Sequence, residues 1–399
     1  MHRIVYILVF LALFLFALLV GGPMPYLLFY TSILVFLVPF LHLLVSLIGL
    51  KSNIQIPNRS LHVGDSINIK YNINNKNFFP LPVLRFNSNI RSVVNDGDPS
   101  SKTISLGARE NFTFTEKIML NRRGYYDSIQ LKLKVFDIFS LFHLRRNFKT
   151  DSSLIVYPNI VKLDNFRVYS NQSLGEMLVE KSIFQDRSNI STIDEYQEGD
   201  SINRIHWKAS AKRGIPMVKT FETVSDTELD IFINNKASLF QNDVDRRIED
   251  KMVDISTAII YYFLNLNIQV NLDTFSKQKR IEIESSKKDE LKLYLETLAK
   301  LEANGDFKMK NLLGEKSYRL DSSSIILIIT PILDKELGEL AMKLKMKNLT
   351  PLFIVVTDKR NSTPMVDRNI EGKLLDEGID LRFIDYASNI KEELEVHHE

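Results

Sequence analysis

Two long apolar runs near the start of this 399-residue chain constrain everything that follows them. Ile4 to Val20 carries no charged residue, and Tyr26 to Leu50 is a second, largely apolar run. Each is about the length a helix needs to cross a hydrocarbon core of ~30 Å. Between them, Gly21-Gly-Pro-Met-Pro25 reads as an uncharged turn, because Gly and Pro both break helices. A turn that short implies a transmembrane helical hairpin over residues 1–50. Arg3, Lys51 and Arg59 flank its outer ends, so the positive-inside rule places both ends, and the soluble remainder, in the cytoplasm. The expected location is the cell membrane, crossed twice, with the lipid bilayer as one partner. A cleaved signal peptide would also explain Met-His-Arg and the first apolar core, but no A-x-A-like site follows and a second apolar run does.

The length predicts two to three domains. A formal charge of +2 gives no global pull toward nucleic acid, which is not an expected partner. The chain has no cysteine, which rules out disulfides and thiolate metal sites.

Beyond the hairpin the periodicity changes. Over residues 54–160 it is two: Ser66-Ile-Asn-Ile-Lys-Tyr-Asn-Ile73 puts Ile67, Ile69, Tyr71 and Ile73 on one face. Thr103–Leu106, Asn111–Thr115, Ser128–Val135 and Ser153–Tyr157 repeat the pattern, with turn signals such as Pro80-Leu-Pro82 and Arg122-Arg-Gly124 between them. Short alternating strands at this spacing predict an all-β sandwich. Residues 161–224 read as a linker and a motif-rich segment, and residues 225–387 alternate strand and helix. Strands are expected at Leu229–Ile233, Ile268–Phe275, Arg280–Ile283, Ser324–Thr330, Leu352–Thr357 and Leu381–Ile384. Helices are expected after Asn242, over Asp289–Ala303 and over Asp334–Lys347. This order predicts a mostly parallel α/β sheet with flanking helices and resembles a von Willebrand factor A-type domain. A charged, frayed tail is expected over residues 388–399.

The densest chemistry lies in Glu195-Tyr-Gln-Glu-Gly-Asp-Ser-Ile-Asn-Arg-Ile-His-Trp-Lys-Ala-Ser-Ala-Lys-Arg213, which holds the only Trp of the chain. Gly199 suits a turn with positive φ, Asp200 suits the cap of a helix from Ser201, and Gly214 suits its terminator. Ile202, Ile205 and Ala209 would share one helical face. The segment resembles the signature of the bacterial domain-of-unknown-function family 58, R-x-Y-x-x-G-D-x-x-R-x-I-x-W-K-x-S-A-R. Tyr196, Gly199, Asp200, Ile205, Trp207, Lys208, Ser210 and Ala211 match. Asp194 and Lys212 stand where the family has Arg, and Asn203 replaces another Arg, with Arg204 one step later. Asp137-Ile-Phe-Ser-Leu-Phe142 resembles the family's D-P-F-G-L-F stretch, with Ile138 and Ser140 in place of its Pro and Gly. The resemblance implies a membrane-anchored, non-enzymatic adaptor. Its implied partners are a MoxR-type AAA+ ATPase and a transglutaminase-like membrane protein.

Three roles compete for the signature. In a structural clasp, Trp207 is the buried anchor, and Asp200 caps the helix and pairs with Arg204 or Lys208. In a docking site, Trp and Arg anchor a partner, as they do in many interfaces. In an active site, Asp200, His206 and Lys208 do acid–base work, but no nucleophile stands beside them. Elsewhere, a von Willebrand-like domain usually holds Mg²⁺ through D-x-S-x-S after its first strand. Here the place is Asn234-Asn-Lys-Ala-Ser238, where Asn replaces Asp and Lys236 opposes a cation. A metal-dependent, adhesion-type ligand binder is the rival reading, against which this damaged ligand set counts, with a hydrolase third; neither a metal nor a cofactor is expected. Gly175–Ser182 mimics a phosphate loop, but Glu180 stands where its second Gly is required.

Overall fold

Apolar composition and a Pro in the first turn make α2 (Pro23–Ile48) a continuous 26-residue helix, with Pro39 in its interior. The computed structural model describes residues 2–57, 60–95, 97–127, 129–140, 142–149, 153–168, 177–178, 185–196, 205–223, 228–320, 324–358 and 366–395. α2 follows α1 (His2–Val20) across Gly21 and Gly22, both at positive φ. It is long and apolar enough to cross a membrane; the apolar part of α1, Tyr6–Val20, is shorter. The two helices run antiparallel, with Phe10 against Phe29 and Phe36 and Tyr6 against Phe36.

The chain divides into two units, Met1–Tyr157 and Pro158–Glu399. In the first, β1 (Leu50–Gln55) continues almost directly from α2, followed by β2 (Leu61–His62), β3 (Ser66–Asn75) and β4 (Leu81–Ser88). α3 (Ile90–Asn95), β5 (Ser100–Leu106), β6 (Asn111–Met119) and β7 (Gly124–Tyr126) come next. β8 (Gln130–Phe136), β9 (His143–Lys149) and β10 (Leu154–Tyr157) complete the unit. The sheets are β1-β3-β6, β2-β10-β7 and β5-β4-β8-β9. The period-two face predicted for β3 is the one buried: Ile67, Ile69, Tyr71 and Ile73 share a core with Leu84 and Phe86 of β4 and Leu131, Leu133 and Val135 of β8. Leu43 of α2 is fully buried in this same core.

β4 was not foreseen, because Pro80-Leu-Pro82 reads as a turn. Pro82 instead sits in the irregular register between Leu81 and Leu84, where a missing backbone donor is tolerated. The Asp137–Phe142 turn is tied by its own acid: the buried Asp137 accepts from the N–H groups of Phe139 at 3.0 Å and Phe142 at 2.6 Å. Ser140, where the family stretch has Gly, takes a positive φ of 55°. The turn is thus built with the left-handed residue that Gly would supply at lower cost.

The second unit begins with irregular chain, then the short pair β11 (Arg167–Val168) and β12 (Met177–Leu178). A longer antiparallel pair follows, β13 (Gln185–Glu195) with β14 (Met217–Thr223), and α4 (Trp207–Arg213) lies between them in sequence. The rest is β15 (Glu228–Ile233), α5 (Arg247–Asn265), β16 (Gln269–Ser276), β17 (Lys279–Ser285), α6 (Leu291–Lys300) and α7 (Met309–Lys316). Then come β18 (Ile325–Thr330), α8 (Lys335–Met346), β19 (Pro351–Thr357), α9 (Arg368–Asp376), β20 (Leu381–Asp385) and α10 (Ile390–Glu395). One sheet, ordered β17-β16-β15-β18-β19-β20, is parallel except for the hairpin strand β17. Helices cover both faces. Leu229, Ile231 and Ile233 of β15 pack toward α5, and Phe232 packs toward α7 and α8.

Three local expectations are corrected. Asp243 rather than Asn242 caps the first turn of α5: its carboxylate accepts from the N–H groups of Ile248 and Glu249, both at 3.0 Å. α7 is an additional helix in a stretch for which no element was expected. Residues 390–395 are not frayed: Ile390 and Leu394 of α10 are buried, and Lys391 pairs with Asp164 at 2.6 Å.

Candidate functional site

The signature folds locally as a short helix seated on a strand pair. Val218 of β14 pairs with Asp194 on one side and with Ile205 on the other. The N–H of Tyr196 donates to Pro216 O at 3.0 Å, and that of His206 to Met217 O at 2.8 Å. α4 begins at Trp207, six residues later than expected, and its cap is His206, whose Nδ1 accepts from Ala209 N–H at 3.1 Å. Ser210 is the latch. Its Oγ accepts from Met217 N–H at 2.8 Å and donates to His206 O at 3.1 Å. Gly214 ends the helix at φ 73°, as its position predicted.

Trp207 does not anchor α4. It is 70% exposed, and α4 has no buried residue. The clasp expectation for this indole is therefore corrected: the latching is done by Ser210 and the His206 cap, while Trp207 and Lys208 face solvent. Ile205 is half-buried at its bridge rather than on a helical face, and Tyr196 is marginally exposed. Gly199, Asp200, Ile202 and Arg204 lie outside the described residues, as does most of the phosphate-loop mimic Gly175–Ser182. His206 Nδ1 is engaged as an acceptor within the helix cap, which ties that nitrogen to local structure.

The other candidate place is the carboxyl edge of the parallel sheet between β15 and β18. There the strand order reverses, and open α/β sheets commonly bind ligands at such a point. The residues there bond to one another. Asn234 Nδ2 donates to Thr330 Oγ1 at 3.1 Å, and its N–H to Ile329 O at 2.9 Å. Asn235, almost wholly buried, donates through Nδ2 to Phe275 O and Glu302 O and accepts from Thr274 Oγ1 at 3.3 Å. Lys236 forms a backbone bridge to Gly305. A donor set of two amides, a threonine hydroxyl and a lysine fits a hard divalent cation poorly. Among the described residues, no group of three or more His, Cys, Asp or Glu side chains is arranged to hold a metal.

Sequence reasoning missed a buried ionic network on the α7 side of the sheet. Lys316, at the end of α7, lies 3.0 Å from Asp273 Oδ2 and also bonds Glu282. Arg280 Nε donates to Asp273 Oδ1 at 2.6 Å. Asn271 Nδ2 bridges Glu228 Oε2 at 2.9 Å and Asp230 Oδ1 at 3.2 Å. Burial by itself would lower the Lys316 ammonium, but Glu282 and Asp273 more than reverse this and hold it above the ordinary lysine value. The Lys316 hydrogen bond holds the Glu282 carboxyl below its usual range. Burial pushes the Asp230 carboxyl up to about 6. Asp230, Asn271 and Asp273 are polar residues inside apolar strands, and that was the signal available in the sequence.

The family match lies in the second unit. Residues 192–367 match the family described as protein of unknown function DUF58. The match begins in β13 and takes in α4 and most of the six-stranded sheet. The chain is also 23% identical over 275 residues to the uncharacterized protein YeaD of Bacillus subtilis (strain 168), spanning 68% of this chain and 67% of that protein. Together the match and the relative support the DUF58 resemblance read from the signature. Among solved structures, proximal thread matrix protein 1 from the mussel byssus shares 13% identity at a TM-score of 0.30, covering 42% of this chain and 45% of that one. The CARDB domain of the PF1109 protein from Pyrococcus furiosus shares 17% identity at a TM-score of 0.20, covering 27% of this chain and 91% of that one. Scores this low define neither fold nor function here.

Proposed function

We propose that this chain is a membrane-anchored, non-enzymatic adaptor whose signature segment docks a protein partner. The observation that carries the reading is Trp207, a large indole held at the surface on a helix fixed at both ends by a His206 cap and a Gly214 terminator. An exposed aromatic on a rigid mount binds with little loss of conformational freedom. Lys208, Lys212 and Arg213 are exposed on the same short helix, which makes its surface basic and suits an acidic partner. By family resemblance the partner is a MoxR-type AAA+ ATPase, with a transglutaminase-like membrane protein in the same assembly. The strand order of the second unit suits a von Willebrand factor A-like fold whose cation place has been replaced by amides. The sheets of the first unit suit a sandwich.

The test is co-purification of the full chain from detergent-solubilised membranes. Wild type should recover an AAA+ ATPase, and Trp207→Ala should lose it while unfolding within ~0.5 kcal/mol of wild type, the usual range for surface substitutions. Equal recovery by both would remove Trp207 from the interface. Turnover of some substrate abolished by Asp200→Ala in a folded, binding-competent chain would refute the non-enzymatic reading.

The anchor in this reading is a two-span hairpin with the remainder cytoplasmic, supported by the apolar α1 and α2 and the basic residues outside them. Protease applied from the periplasmic face of oriented vesicles should spare the chain beyond Ile54. Digestion of that region from that face would overturn the topology.

A further inference from the structure

The membrane reading fixes a level on α2 at which hydrocarbon ends, and unit 1 places apolar loops at that level. Counting 1.5 Å per residue, the helix from Pro23 to Leu43 spans about 30 Å, a full hydrocarbon core. From there on one face of α2 is covered by protein: Leu43 and Ser46 are fully buried and Leu47 packs on the β core, while Leu44, Val45 and Ile48 stay exposed. α1 marks the same level independently. Tyr6 lies beside Phe36, with ring centroids 6.3 Å apart, so Arg3 comes level with about Pro39 to Phe40.

Two loops reach α2 at this height. Phe142 closes the Asp137 turn and sits 5.7 Å from Phe40 and 6.5 Å from Phe36, ring to ring. The turn presents Ile138 and Phe139 outward, both more than half exposed. In the other loop, Phe79 lies 5.7 Å from His42, and Asn77 Nδ2 donates to Ser46 O at 2.8 Å. Phe78 is 72% exposed. The Arg109 guanidinium stands 3.9 Å from the Phe78 ring centroid, and Lys76 is exposed beside it. Glu110, the acid of this region, folds back onto Gly107 N–H.

Four large apolar side chains in solvent on two fixed turns would be costly in a soluble protein, and aromatic residues with nearby cations are typical of the membrane boundary. We infer that the Phe78–Phe79 and Ile138–Phe139 turns form a wedge immersed in the boundary of an anionic bilayer beside α2, with Lys76 and Arg109 at the headgroups. This rests on the membrane reading above. It extends that reading, because it makes unit 1 a second membrane-binding element that would fix the β sheets against the bilayer surface.

The absence of cysteine makes the test direct. Phe79→Cys, Ile138→Cys, Val35→Cys and Met119→Cys are each made in the full chain, labelled with an environment-sensitive fluorophore and reconstituted into phosphatidylcholine–phosphatidylglycerol vesicles containing brominated lipid. Val35 is exposed on α2, and Met119 is exposed at the opposite end of β3 and β6 from Asn75. Quenching is expected at Val35, Phe79 and Ile138, with Met119 at background. Quenching at Val35 alone, with Phe79 and Ile138 no higher than Met119, would overturn the wedge and leave the anchor standing. No quenching at Val35 would overturn the membrane reading and the wedge with it.

Discussion

Lys316→Met is expected to destabilise the second unit by about 3 kcal/mol, the lower end of what removing one partner of a buried ion pair costs. Lys316 and Asp273 are both almost wholly buried, and their charges lie 3.0 Å apart. A Met side chain fills much of the volume of the lysine stem but leaves Asp273 and Glu282 without the cation between them. The cost stays at the lower end because Arg280 continues to hold Asp273 Oδ1 at 2.6 Å. Denaturant titration of the detergent-solubilised full chain, read by proteolysis of the second unit, measures it. The double substitution Lys316→Met with Asp273→Leu should recover much of the loss, since a buried pair is often worth little more than well-packed apolar groups. A single substitution that costs less than ~1 kcal/mol would show that water already reaches the pair.

This network also explains why α7 was invisible in the sequence. Residues 309–316 are apolar only at Met309, Leu312 and Leu313 and carry two lysines and a glutamate, which reads as a solvated stretch. The helix is held by those few apolar contacts together with the reach of Lys316 across β16 and β17 to acids more than thirty residues away in sequence. Local pattern carries no information about such a pairing. By contrast, the six strands of this sheet were legible to within about two residues at each end, because their apolar runs, or in β17 the alternation of Ile281 and Ile283 with charged residues, are bounded by polar residues or Pro. β4 was lost to its prolines, which mark a bulge and not a turn.

The signature was legible as a segment, and Gly214 was legible as a terminator. Its internal geometry was not. A Trp amid charge suggests a buried anchor, because burial is the common fate of an indole. Whether Trp207 meets protein depends on what lies above α4, and no residue of α4 is buried. The cap passed to His206 because Ile205 is drawn into a bridge with Val218, so helical backbone starts only after it.

Asp230→Asn is expected to stabilise the second unit at neutral pH, an unusual direction for a substitution at a buried position. Burial raises the Asp230 carboxyl to about 6; the Asn271 hydrogen bond and Lys316 oppose this, while Glu228 and Asp273 reinforce it. Its Oδ2 is buried without a hydrogen-bond partner. In the unfolded chain the same group titrates near ~3.9. The folded state therefore holds the proton more tightly. The stabilisation from that proton is fully present below about pH 4 and is lost as pH rises through about 6. Above that window the ionised Asp230 costs the fold roughly 3 kcal/mol, two units at 1.36 kcal/mol each. Asparagine keeps an acceptor for Asn271 and carries no charge, but it gives up the attraction to Lys316. The expected net gain at pH 7.5 is therefore about 2 kcal/mol, shrinking to near zero at pH 4. Stability curves of wild type and variant across pH 4 to 8, measured on the full chain by the same proteolysis readout, decide the matter. A constant difference between the two curves, or a variant weaker at pH 7.5 than at pH 4, would show that Asp230 is ionised and satisfied in the folded chain throughout.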